Sequence, residues 1–153
     1  MSGSKFVYVI YIRTSAEELW RAITEPAQLK RYFSGADHES TFKAGAAWRI
    51  MIPDGRVADS GEILESDAPK KLVIKWRNEF QPAIRDEGFS RMSYELEQQG
   101  DMVKLTVTHE MDKPGSQLIE NVSGGWPVIL SSLKSMIETG EPLSATARWP
   151  EGV

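Results

Sequence analysis

Cysteine is absent from the 153 residues, which removes disulfides, thiolate nucleophiles and cysteine-ligated metals together. Histidine is scarce. His38 and His109 are the only two, too few for a hydrolytic metal site, and no HExxH spacing arranges them. Long apolar runs are missing as well: stretches such as Val7 to Ile10 fall far short of the roughly 20 residues that a membrane helix needs, and Met1 to Lys5 is polar without the shape of a signal peptide. Positive charge is in short supply. A formal net charge of −4 and a pI near 5.3 oppose phosphate-backbone binding, and Lys30-Arg31 and Lys70-Lys71 are the only basic pairs. These absences lead us to expect a cytoplasmic chain with no membrane span, no nucleic-acid partner, no metal and no cofactor.

What is present fits one globular domain. Hydrophobic residues at 41% and charged residues at 26% lie near globular averages and exclude a disordered or collagen-like chain. The length suits a single core. We expect one domain over residues 5–143, with tails at 1–4 and 144–153.

The segment FVYVIYIR, Phe6 to Arg13, is rich in aromatic and β-branched residues and predicts a strand with two apolar faces. Ser15 precedes Glu18 by three positions, the capping-box spacing, and predicts a helix over Ala16 to Thr24. Pro26 suits the first position of a second short helix, whose buried edge is Leu29, Tyr32 and Phe33. From Asp37 to Met111 the chain has strand character. Trp48, Ile50 and Ile52 alternate before the hairpin pair Asp54-Gly55, Val57 to Glu65 returns, and Leu72, Ile74 and Trp76 follow the corner at Asp67-Ala68-Pro69. Phe89 to Gln98 and Met102 to Met111 pair around Gln99-Gly100-Asp101, while Asn78 to Gly88 breaks the rhythm as a longer loop.

Ser116 to Leu143 predicts one long amphipathic helix. Val122, Trp126, Ile129, Leu130, Leu133, Met136 and Ile137 recur at spacings of three and four. Gly140 and Pro142 close it. Pro127, after Gly124, Gly125 and Trp126, removes a backbone donor inside the pattern and predicts a kink or a restart near Gly124.

The opening FVYVIYIRTSAEELWRAITEPAQLKRYF and the closing NVSGGWPVILSSLKSMIETGEPL resemble the end signatures of the family named after activators of the heat-shock protein 90 ATPase, a branch of the START-like (SRPBCC) superfamily. Ala16 to Trp20, Thr24 to Leu29, Tyr32-Phe33, Gly45, Gly124-Gly125-Trp126, Leu130 and Leu133 carry the match. The resemblance implies an α+β, helix-grip fold of the START-like or Bet v-like kind. A curved antiparallel sheet of about six to seven strands would wrap the long C-terminal helix, with two short helices after the first strand and an internal hydrophobic cavity. It implies no shared catalytic motif, and the co-chaperone activity behind the name belongs to larger proteins with an added binding domain.

The chemistry follows from these placements. No GxSxG elbow exposes a serine, and Gly124-Gly125 lacks the lysine and the preceding strand of a phosphate loop. No catalytic residue is assigned. His109 ends a strand on the face of Val107 and reads as a polar group at the cavity mouth or a strand-end residue; His38 reads as a loop residue. The expected cavity lining is Phe33, near the entrance, with Trp48, Ile50, Trp76, Met92, Tyr94, His109, Trp126, Ile129, Leu130 and Leu133. Arg49, Glu62 and Arg77 could orient a ligand only if bulges turned them inward, and alternation places them on the surface first. The partner expected is a small hydrophobic molecule, aromatic or lipid-like. A chaperone is the alternative partner, through a protein-interaction surface, and a cyclase- or hydrolase-like cavity enzyme is the second alternative; that would need a buried acid or base with a shifted pKa.

Overall fold

Alternation along the chain becomes one seven-stranded antiparallel sheet in a computed structural model that describes residues 3–149. The strands are β1 (Ser4–Ile12), β2 (Asp37–Glu39), β3 (Ala47–Met51), β4 (Val57–Asp67), β5 (Lys71–Asn78), β6 (Ser90–Gln99) and β7 (Met102–Met111), in the order β1-β7-β6-β5-β4-β3-β2. Two helices, α1 (Ala16–Thr24) and α2 (Pro26–Tyr32), follow β1; a short α3 (Pro82–Arg85) interrupts the loop after β5, and α4 (Gln117–Thr139) lies across the inner face. This is the helix-grip arrangement, with about half the capping box realised as expected: Ser15 Oγ accepts from the Glu18 backbone N–H at 3.1 Å, while the Glu18 carboxylate takes the Thr14 hydroxyl.

The first strand departs from its expected two-faced burial. Phe6, Tyr8 and Ile10 pack against the core, but Val7, Val9 and Tyr11 are 50%, 43% and 44% exposed. The reason is layering: one helix layer covers one face, and the other face of an antiparallel sheet remains in water.

Of the kink or restart expected near Gly124, the restart does not occur: α4 runs from Gln117 to Thr139 with Pro127 inside it. Its start is fixed by a buried acid. Glu87, its side chain 2% exposed, accepts from the Ser116 hydroxyl at 2.7 Å and from the Gln117 and Leu118 backbone N–H groups. Burial disfavours its charge, yet these donors, with Lys113 nearby, outweigh that and hold its pKa below the ordinary carboxylate value. The other end closes on Gly140 in the left-handed conformation, φ 87°.

Of the expected tails, residues 1–2 and 150–153 lie outside the described residues. Residues 144–149 lie against the body: Thr146 is buried and accepts from the Ser34 N–H at 2.8 Å, Ser132 Oγ accepts from Leu143 N, and Trp149 packs on the core beside Phe80.

Candidate functional site

The site begins with a missing side chain. Pairing places Trp48, Gly61 and Trp76 in one row across β3, β4 and β5, so nothing stands between the two indoles, whose centroids meet at 4.6 Å. Two residues earlier on the same face of β4 is Asp59, paired with Ile50 and Asn78. Its carboxylate Oδ1 accepts the Trp76 indole N–H at 2.9 Å. Asn78 also hydrogen-bonds this carboxyl, and its own Oδ1 accepts from the Gln81 backbone N–H at 2.9 Å, which orients the amide.

Between this corner and the first half of α4 lies a pocket of about 220 Å³. Phe33, Trp76, Trp126 and Ile129 give it apolar walls; Asp59, Asn78, Gln81 and Asn121 give it polar ones. Trp126 meets Phe33 and Trp76 with centroids 5.9 Å from each, at 87° and 67°. Gly125 lines the pocket too, and a Cβ built there would meet nothing within 4 Å. The helix therefore keeps the space open where any side chain would project.

Burial dominates the titration of Asp59 and pushes its pKa up to about 7; the Glu79 carboxylate adds to the rise, and the Trp76 and Asn78 hydrogen bonds offset it in part. Glu79 itself is different. Burial works against its charge, but Arg77, Ser60 and Arg85 together hold it down to about 2.

The structure brings four of the expected lining residues to this pocket: Phe33, Trp76, Trp126 and Ile129. The other seven are not among its walls. Trp48, Ile50, Met92, Tyr94, Leu130 and Leu133 belong to the main buried cluster, the one that also holds Trp76 and Trp126.

His109 is the seventh. Instead of the cavity mouth or a strand end it occupies the interior, 0% exposed. The Trp126 indole N–H donates to its Nδ1 at 3.2 Å, which leaves the proton on Nε2 to donate to Ser90 Oγ at 2.8 Å, and the Ser90 hydroxyl donates to the Trp76 carbonyl at 2.9 Å. Every member of this chain is satisfied by a neutral imidazole, and burial lowers the His109 pKa to about 3. It is an anchor for Trp126. His38, expected in a loop, is buried in β2 with its ring edge-on to Phe33 at 4.8 Å. Burial again lowers its pKa, to about 4, against a backbone hydrogen bond with Ala36 and the charge of Asp37.

Arg49 and Glu62 are exposed, Arg49 pairing with Glu39 at 2.6 Å, and Arg77 pairs with Glu79 on the outer side. Sequence reasoning missed Asp59, Asn78, Gln81 and Asn121. A signal existed for Asp59: counting back from the Asp54-Gly55 turn pairs Ile50 with Asp59 and Trp48 with Gly61, so the acid shares the inward face. Among the described residues no three His, Asp or Glu side chains are placed to hold a metal ion, and no helix is long and apolar enough to cross a membrane.

Comparisons with known proteins agree with this architecture. No curated protein matches the sequence. Among solved structures, CalU16 from Micromonospora echinospora is 22% identical, with a TM-score of 0.72 over 90% of this chain and 78% of that one. The Aha1 dimer from Colwellia psychrerythraea is 18% identical, with a TM-score of 0.73 over 90% and 98%. An HSP90 activator from Plasmodium falciparum is 24% identical, with a TM-score of 0.71 over 92% and 99%. At these identities the likeness is one of fold. The model of the family described as activator of Hsp90 ATPase homolog 1-like protein matches residues 13–138, most of the chain, and the protein belongs to that family.

Proposed function

We propose that this protein binds a small molecule with an apolar, aromatic body in the pocket under the first half of α4. The observation that carries this reading is the pocket itself, lined by three aromatic rings together with Asp59 and three amides, a combination suited to holding and orienting a ligand. Its volume of about 220 Å³ accommodates a single ring with a substituent. The absence of cysteine supports a reducing, cytoplasmic setting.

Asp59 also supplies the shifted acid that an enzyme would need. No second nucleophile or base lines the pocket among the described residues, only amides, so binding remains the first reading. The test is a Gly125→Leu variant, whose side chain would enter the pocket. Indole, titrated while the Trp76 and Trp126 indole N–H resonances are followed, should shift both signals in the parent and neither in the variant. Equal shifts in both proteins would discard the pocket.

Family membership favours a second reading, a chaperone-contacting module. A solved structure described as an HSP90 activator from Plasmodium falciparum shares the fold over 99% of its chain, which supports testing that reading here. Addition of this protein to a purified Hsp90 should raise its ATPase rate; an unchanged rate retires that reading.

A further inference from the structure

We propose that the ligand of this pocket is a small organic cation, an amine or quaternary ammonium carried on an apolar ring, received by the Asp59 carboxylate and the rings of Phe33, Trp76 and Trp126. This rests on the pocket reading above and adds the chemical class.

Among the described residues the pocket wall holds one ionisable side chain, Asp59, and no lysine, arginine or histidine. Asp59 takes part in no ion pair among the described residues: the nearby Arg77 and Arg85 are both committed to Glu79, at 2.7 and 2.9 Å. A carboxylate offers about four acceptor positions, and the Trp76 indole and the Asn78 amide occupy two. What remains is acceptor capacity without a positive partner. The ionised Asp59 carboxylate would repel an anion there, whereas an ammonium would gain a charge partner and the negative faces of aromatic rings. The amides of Asn78, Gln81 and Asn121 can accept from ammonium N–H groups without competing for charge. Nor does the helix start oppose a cation, since the Glu87 carboxylate already caps it.

The groups around Asp59 make its titration the one that matters. On the β5 side stand neutral Asn78, the indole of Trp76 and Glu79, ionised down to about 2. Ile50 stands on the β3 side, Asn121 and Trp126 on α4, and Phe33 after α2, none of them charged. His109 and His38, behind the rings, stay neutral above about 3 and about 4. With Asp59 near 7, raising the pH should create the form that attracts a cation and deplete the form that donates to a carbonyl.

The experiment titrates benzylammonium, phenyltrimethylammonium, benzyl alcohol and benzoate into the full chain, following heat and the Trp126 indole resonance between about pH 5.5 and about pH 8.5. If only the ionised site binds the cations, their affinity rises about thirtyfold across that range. Benzyl alcohol should bind weakly and evenly, and benzoate not at all where Asp59 is ionised, toward about pH 8.5. Asp59→Asn should remove the rise while Gly125→Leu removes binding. Should the Asn variant fail to fold, the parent's pH profile and the Leu variant still decide. Cation affinity that is flat or falls with pH, or an alcohol that binds as tightly as the cations, overturns the cation assignment and leaves the pocket reading standing. Trp126 silent to all four probes overturns both.

Discussion

The two halves of α4 solve opposite problems. In the second half Leu130, Leu133 and Met136 are buried against the sheet and the first two helices, and the edges are tied down: Lys134 Nζ donates to the Tyr11 carbonyl at 2.7 Å, and the Arg13 N–H donates to Glu138 at 2.8 Å. In the first half Gly125 leaves a gap, Trp126 is pinned by its indole rather than by close packing alone, and an acid with no cation faces the space. A continuous helix therefore carries packed core at one end and the proposed ligand pocket at the other. Proteins tolerate an unfilled, polar corner only where the remaining core can afford the deficit.

That contrast can be broken from either side. The largest effect belongs to the packed half: Leu133→Ala, at a position with no solvent exposure, should cost about 2–5 kcal/mol in urea unfolding and leave the Trp126 indole shift in place. Loss of the indole shift at preserved fold would show that the halves are not separate. His109→Leu comes next. It strands the Trp126 N–H and deprives the Ser90 hydroxyl of a donor, which should cost about 1–3 kcal/mol and loosen the pocket wall, seen as broadening of the Trp126 resonance.

Glu87→Gln weakens the cap that sets the first half in place, by about 0.5–2 kcal/mol. Its pKa is depressed in the fold, so its stabilisation is present above the unfolded carboxylate value and lost as pH falls through the lower folded one. The parent and the Gln variant should therefore converge in melting temperature under acid; a constant gap would remove the carboxylate from the explanation. Smallest is Gly125→Ala, predicted to raise stability by about 0.5–1 kcal/mol because its Cβ meets only open space. Destabilisation there would mean the space is already filled.

Much of the packed half was legible, because apolar periodicity reports burial. The stripe from Trp126 to Ile137 placed the helix, and the turn pairs placed the hairpins. Other features were opaque for definable reasons. Periodicity marks which residues face inward but not which of them border a pocket, so Trp48 and Tyr94, buried in the main cluster, could not be told from Trp76 and Trp126, which line one. Pro127 argued for a kink or a restart, and the helix runs through it without restarting. His38 looked like a loop residue because only the pairing of β2 with β3, a contact distant from any local pattern, buries it. Asp59 was overlooked for the converse reason: a charged residue within a strand reads as surface unless the register is counted from the turn.

The central claim is that a carboxyl without a cation lies in a poorly hydrated corner beside aromatic rings. Carbon-13 NMR of the Asp59 carboxyl, titrated across the neutral range, tests it without any ligand. A midpoint near 7, with stability falling as the pH rises above the unfolded carboxylate value toward it, is the predicted result. A midpoint near the ordinary value of about 4 would show a wet, unremarkable surface acid and contradict the account.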